Sequence, residues 1–258
     1  GRIIALELGG NNASVVMPDA DLHLAAVECA RAAFATTGQR CTCTRRILVH
    51  EDVSKPLVDR LCEIATGLVV GDPRGEVFMG PLIRAEARDA ALRAQQTWIS
   101  RGATPLLESR PINDPFEGHY ISPGILRVPR FELDESACGG DIELFAPIVR
   151  VATVKSLDEA ITQCNMTRFG LAASIFTQHA ASIDRFLAEA RAGCINVNTG
   201  TAGASGKLPF GGLGLSGNHR PAGAFALDYC AYPVASLIES GADAPLSPGM
   251  RLHDSNTR

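Results

Sequence analysis

The 258-residue sequence has no long apolar run, no large excess of charge of either sign, no leader-like start and no set of closely spaced metal-ligand pairs. Each absence excludes a class of function. The longest apolar runs, such as "ATGLVVG", fall far short of a membrane span. A net charge of −4 gives no electrostatic reason to expect nucleic acid or an anionic membrane as partner. The start, "GRIIALELGG", lacks a charged-then-apolar leader. No internal repeat or low-complexity tract occurs. What remains is an ordinary globular composition, 46% hydrophobic and 20% charged, long enough for one large domain or two small ones around a buried core.

Eight cysteines are scattered along the chain. A chain of this length does not need disulfides, and most of the eight sit in apolar contexts such as "AVECARAAF" and "AGCINV". They read as reduced, buried thiols in a cytoplasmic protein. Cys41 and Cys43, in "FATTGQRCTCTRR", stand apart. As metal ligands they lack a second pair, so no metal site is expected. As a nucleophile, a cysteine on a glycine-containing bend beside Arg40, Arg45 and Arg46 would have its thiol pKa lowered by nearby positive charge and backbone N–H groups. The bland alternative is that the arginines form a solvated face.

Strand-like and helix-like segments alternate. "RIIALEL", "RRILVHEDV", "APIVRVATV" and "CINVN" read as strands. Helical spacing runs through 19–35, 52–68, 84–102, 156–166 and 179–193, with Gly193 expected to cap the last. This alternation predicts an α/β fold with a mostly parallel sheet flanked by helices. From about residue 240 the chain is polar and aperiodic and reads as a loose tail.

Three further elements carry chemistry. Glu7, in "ALELGGNN", ends an apolar stretch. It is either a partly buried carboxylate with a raised pKa suited to general-base work, or an exposed charge. Glu143 lies inside the apolar run "DIELFAPIV". "KLPFGGLGLSGNHRP" contains G-x-G-x-x-G at Gly212, Gly214 and Gly217. It follows Pro209 and meets Pro221, so it neither follows a buried strand nor opens a helix. The match to a dinucleotide turn therefore reads as accidental, and the stretch as a flexible loop. No His–Asp or His–Asn pattern stands out to support a cysteine-protease reading.

Taken in order, these elements resemble the aldehyde dehydrogenase superfamily over about residues 3–238. "ELGGNN" resembles its general-base motif and "GQRC" its nucleophile motif, with Glu7 and Cys41 34 positions apart. "ELFAP" resembles its E-x-F-G-P motif, with Ala146 in place of the usual glycine, and "LPFGGLGLSG" its P-F-G-G loop. "GDP…MGPLI" at 71–83 and "NMTRFGLAASIFT" at 165–177 also match. Within the superfamily, "GQRCTCTRR" and "SGNHRPAGAFALDYCAYPVASL" most resemble the N-succinylglutamate 5-semialdehyde dehydrogenases, whereas "NVNTGTAGASGK" departs from that group near its substrate pocket.

The resemblance implies oxidation of an aldehyde with NAD as cofactor. Cys41 would be the nucleophile and Glu7 the general base. Glu143 would hold the nicotinamide ribose, and Phe145 would pack beside the cofactor. His219 and Arg220 would meet substrate carboxylates, or else serve a turn or a subunit contact. It implies a catalytic domain over 1–216, a returning segment with an oligomerisation strand over 217–240, including "DYCAYPVASL", and a loose tail over 241–258. A homo-oligomer joined through that strand is expected. The family's dinucleotide-binding half would lie upstream of Gly1, so the chain alone is expected to bind NAD weakly or not at all. Two other readings compete: a non-catalytic domain acting only in oligomerisation, and an NAD-independent esterase using Cys41 and Glu7.

Overall fold

Among the described residues the first strand is Asn12–Val16 (β1); of "RIIALEL", residues 2 and 3 lie outside the described residues and 4–8 form no strand. In the computed structural model, which describes residues 4–112, 117–219, 222–238 and 245–251, residues 4–8 are exposed. Their one strand-like pairing among the described residues is an isolated antiparallel bridge between Glu7 and Gly217. The five residues of β1 are buried throughout and paired on both sides. An apolar run alone cannot distinguish these two stretches. Position within the sheet does.

The remaining elements follow the predicted alternation. Helix α1 (Leu22–Phe34) starts at Asp21, whose carboxylate accepts from the His23 and Leu24 backbone N–H groups, both at 3.0 Å. Strand β2 (Thr44–His50) leads into α2 (Glu51–Thr66), which is capped by Gly67, close to the helix expected over 52–68. Then come α3 (Ala85–Ser100), β3 (Thr104–Leu107), β4 (Gly124–Arg127) and β5 (Ile148–Val154). Helix α4 (Leu157–Cys164) is capped by Ser156, which accepts from Glu159 N. Next are β6 (Ala172–Phe176), α5 (Ala180–Glu189) and β7 (Cys194–Val197). The short strands β8 (Pro209–Phe210) and β9 (Ala222–Gly223) pair with each other, and α6 (Ala226–Cys230) follows.

The seven-stranded sheet has the order β3-β4-β5-β2-β1-β6-β7. All pairs are parallel except β3 with β4. Successive residues of a strand face opposite layers. Val15 and Leu48 pack with Trp98 of α3 and Ile161 of α4, while Val16, Ile47 and Val49 pack with Phe34 of α1 and Leu61 of α2. The central strands are thus buried on both faces, which explains their near-continuous hydrophobic runs. Among the described residues no helix is long and apolar enough to cross a membrane.

Two expectations, for Gly193 and for the cysteines, need correction. Helix α5 stops at Glu189, well before Gly193. A side chain at Gly193 would place its Cβ 1.8 Å from Gly211 O, so this glycine permits backbone contact rather than capping a helix. "DYCAYPVASL" contains the end of α6, and residues 231–238 carry no strand pairing in the single chain. Tyr232, Val234, Leu237 and Ile238 there are strongly exposed. Finally, Cys29, Cys43, Cys138 and Cys164 are buried, but Cys62 and Cys194 only partly, and Cys230 is exposed.

Candidate active site

The loops that carry the candidate residues all precede strands. Glu7–Gly10 enters β1, Cys41 enters β2, Glu143–Phe145 enters β5, Gly170 and Leu171 enter β6, and Gly193 enters β7. The strands are parallel and nearly in register, with Asn12 opposite Thr44 and Ala172 opposite Cys194. Residues scattered over some 190 positions of sequence therefore meet at one edge of the sheet. That edge is the amino end, whereas ligands in open α/β sheets usually bind beyond the carboxyl ends.

Cys41 sits on an unusual bend. After α1, Thr36, Thr37 and Gly38 all take left-handed backbone angles, with φ of 55°, 58° and 69°. Two consecutive β-branched residues in this region are strained. The bend is held from outside. Thr37 Oγ1 donates to Gly80 O at 2.9 Å, Gln39 Oε1 accepts from Ile83 N at 3.0 Å, and Gln39 Nε2 reaches Pro81 O at 3.4 Å. The "MGPLI" segment is thus the outer support of the cysteine turn.

Asn12, missed in the sequence reading, holds the turn from inside. Its Nδ2 donates to Cys41 O and Cys43 O, both at 2.8 Å, and its Oδ1 accepts from Ala172 N at 3.0 Å. Thr201 adds a second clasp: its hydroxyl donates to Thr42 O at 2.7 Å, so it accepts from Thr44 Oγ1 at 2.8 Å. The signal for Asn12 was present in "ELGGNN". Thr201 had no comparable signal, because its partner lies 159 residues away.

The two cysteines differ in exposure. Cys43 is fully buried, with Sγ 3.9 Å from Ala35 O, while Cys41 is half-buried. The expected arginine effect on Cys41 is not what dominates. Burial first, and then the Glu7 carboxylate, push the Cys41 thiol above its ordinary pKa; the Cys41 and Thr42 backbone N–H groups pull the other way. The positive charge of Arg45 acts more on Cys43. Neither Arg45 nor Arg46 forms a solvated face, since each is 2% exposed.

Arg46 Nε donates to Asn11 O at 2.7 Å. Its other nitrogens reach Gln163 O, Cys164 O and Met166 O at the end of α4, a favourable place for a cation. Arg150, opposite Arg46 in the sheet, stacks on Trp98 at 4.2 Å. Burial and the neighbouring Arg46 charge take its pKa down to about 9.

Glu7 is exposed, and its pKa is nonetheless raised by desolvation. It lies near enough to Cys41 and Cys194 for its charge to raise both thiols. Its segment is held by the glycine-rich stretch, which is not a free loop. Leu8 N donates to Ser216 O at 3.0 Å, Leu6 N to Asn218 Oδ1 at 2.9 Å, and Asn218 Nδ2 to Ile4 O at 2.7 Å. Ser216 is buried, and its hydroxyl accepts from Gly170 N at 3.0 Å. A Cβ at Gly217 would meet Gly212 O and Leu6 O within 2.8 Å, which accounts for glycine at that close approach.

Glu143 is half-buried. Its Oε1 accepts from Gly10 N at 2.9 Å, and it packs directly on Gly9. Phe145 keeps 46% of its surface exposed, and the Arg45 guanidinium lies over its ring at 5.2 Å. A carboxylate beside an exposed aromatic ring fits the ribose and ring of a nicotinamide group. His219 is exposed, with φ of 62° just beyond the glycine-rich stretch, and Arg220 lies outside the described residues.

With this geometry in view, comparison with known proteins is decisive. The family model described as "Aldehyde dehydrogenase family" matches residues 2–233.

The chain belongs to the aldehyde dehydrogenase family.

The N-succinylglutamate 5-semialdehyde dehydrogenase of Hahella chejuensis is 42% identical over 256 residues, covering 97% of this chain and 51% of that protein. The protein of that name in Caulobacter sp. is 44% identical over 238 residues, covering 91% and 47%. Among aldehyde dehydrogenase structures, an NAD-dependent enzyme from Sinorhizobium meliloti superposes with a TM-score of 0.85 at 30% identity, covering 93% of this chain and 47% of that one. A Thermus 1-pyrroline-5-carboxylate dehydrogenase with bound NAD gives 0.79 at 28% identity, covering 87% and 42%. The chain spans about half the length of the curated relatives it matches.

Proposed function

We propose that the chain supplies the nucleophile and base of an aldehyde dehydrogenase that uses NAD and acts on N-succinylglutamate 5-semialdehyde. The observation that carries this reading is the pairing of a half-buried Cys41 with a Glu7 carboxylate close enough to raise its pKa. The Cys41 thiolate, its proton lost to solvent, attacks the aldehyde carbon through Sγ to give a thiohemiacetal oxyanion. The Cys41 backbone N–H, which favours negative charge at Sγ, would also meet developing charge on the aldehyde oxygen.

Loss of hydride from the thiohemiacetal carbon leaves a thioester on Cys41. NAD, when bound beside Glu143 and Phe145, supplies the acceptor for that hydride. Glu7 then takes a proton from the water that attacks the thioester, releasing the carboxylic acid and the thiol. Its raised pKa brings the base nearer to neutrality, where general-base catalysis is most efficient. Covalent attachment divides one difficult oxidation into two easier steps. The relatives' names support the succinylated semialdehyde as substrate. His219, exposed near the glycine-rich stretch, is proposed to meet a substrate carboxylate.

Hydrolysis of p-nitrophenyl acetate tests the residue roles, because it needs only nucleophile and base. Cys41→Ala is expected to abolish it, and Glu7→Gln to leave a single burst of nitrophenol with slow turnover. Hydrolysis that survives Cys41→Ala would overturn the assignment. NADH formation in the complete enzyme tests the substrate: the succinylated semialdehyde is expected to exceed a neutral aldehyde of similar length in kcat/KM.

A further inference from the structure

Arg45 is an arginine buried to 2% exposure that forms no ion pair among the described residues. Its charge is met by carbonyl oxygens and one aromatic face. Nη1 donates to Gly38 O at 2.6 Å and to Ala146 O at 3.4 Å, and Nη2 donates to Arg40 O at 3.0 Å. The guanidinium covers the Phe145 ring at 5.2 Å. Gly38 and Arg40 belong to the bend that presents Cys41, whereas Phe145 and Ala146 belong to the loop that carries Glu143. One planar fork therefore joins two loops that are about 100 residues apart in sequence.

The two loops are also in direct contact. A Cβ at Gly38 would sit 2.3 Å from Ala146 O, so no side chain can separate them there. On the far side, Glu143 accepts from Gly10 N in the Glu7 segment. The connections run from the Cys41 bend through Arg45 to the Glu143–Phe145 loop, and from Glu143 to the strand entry that bears Glu7.

We infer that Arg45 is a positioning residue that fixes the Cys41 bend against the Glu143–Phe145 loop, so that thiol and cofactor-facing groups keep one relative geometry. This rests on the reading of Cys41 as nucleophile. The argument for a fork rather than a simple charge is geometric. Three carbonyls in two loops and a ring face need a planar donor with several N–H groups, and an ammonium offers one compact point. Burying a cation without a carboxylate partner is costly, and carbonyl donation with ring stacking offsets that cost here, as it does at Arg46 and Arg150.

Hydrogen exchange read by mass spectrometry on wild type and Arg45→Lys tests the brace without any turnover, so its failure is separate from failure of the catalytic reading. Arg45→Lys is expected to speed exchange about 10-fold in both 38–42 and 143–147, with Ile148–Val154 unchanged. Acceleration in only one loop, in neither, or uniformly along the chain would overturn the proposal. If Arg45→Lys does not fold, Phe145→Leu, at a position 46% exposed, removes the ring face alone. It is expected to speed exchange in 38–42, and no change there would equally overturn the brace. In the complete enzyme, Arg45→Lys is expected to lower kcat at least 10-fold while KM for aldehyde moves less than threefold. The reverse pattern would contradict a positioning role.

Discussion

Replacing Asn12 by alanine removes the inner clasp of the cysteine turn, and its cost can be worked from the structure. Asn12 is 2% exposed and makes three hydrogen bonds, to Cys41 O and Cys43 O at 2.8 Å and from Ala172 N at 3.0 Å. Each is worth about 0.5–1.5 kcal/mol net, so the sum is about 3 kcal/mol. For a chain of this size that corresponds to about 6–12 °C in Tm. Urea unfolding followed by the fluorescence of the single tryptophan, Trp98, buried under Arg150, measures it. The midpoint should fall with the slope unchanged, because the surface exposed on unfolding is nearly the same. Asn12→Asp separates lost bonds from a lost volume. It keeps the shape and the acceptor for Ala172 N, but turns an oxygen toward two carbonyls, and should cost more than alanine. A loss below about 1 kcal/mol for Asn12→Ala, or an aspartate milder than alanine, would refute the hydrogen-bond account.

Glu7→Gln removes the like charge that, after burial, raises the Cys41 thiol. The thiolate then forms at lower pH, so the pH midpoint for iodoacetamide labelling of the Cys41 peptide should move down; an unmoved midpoint would mean that Glu7 does not act on the thiol. Gly38→Ala demands a left-handed alanine at φ +69° and a Cβ 2.3 Å from Ala146 O. It should cost at least about 2 kcal/mol in urea unfolding, from backbone strain and overpacking together. An unchanged midpoint would show that the bend relaxes freely.

Much of this protein was legible in its residues. Hydrophobic periodicity located the long helices, because an amphipathic helix must repeat its apolar face whatever it packs against. The helix over 52–68 and a strand in "RRILVHEDV" were readable for similar local reasons, although the strand gives way to α2 already at Glu51. The motifs "ELGGNN", "GQRC" and "ELFAP" single out Glu7, Cys41 and Glu143 as candidates, and the proposed reaction has a use for each of those residue types. Periodicity does not reveal which apolar run becomes a strand: "RIIALEL" reads as one, yet β1 is "NASVV". Sheet membership depends on neighbours far away in sequence.

Tertiary structure alone decided three matters. It made buried forks of Arg45 and Arg46, for which a solvated face was one of two readings, because their carbonyl partners come from loops up to 120 residues distant. It made the glycine-rich stretch the backing for the Glu7 segment, through bonds that span more than 200 residues. It also brought the candidate residues together at the amino edge of the sheet. Composition and motif carry the chemistry, but parallel register brings the loop entering one strand beside those entering its neighbours, and no local stretch of sequence encodes that alignment.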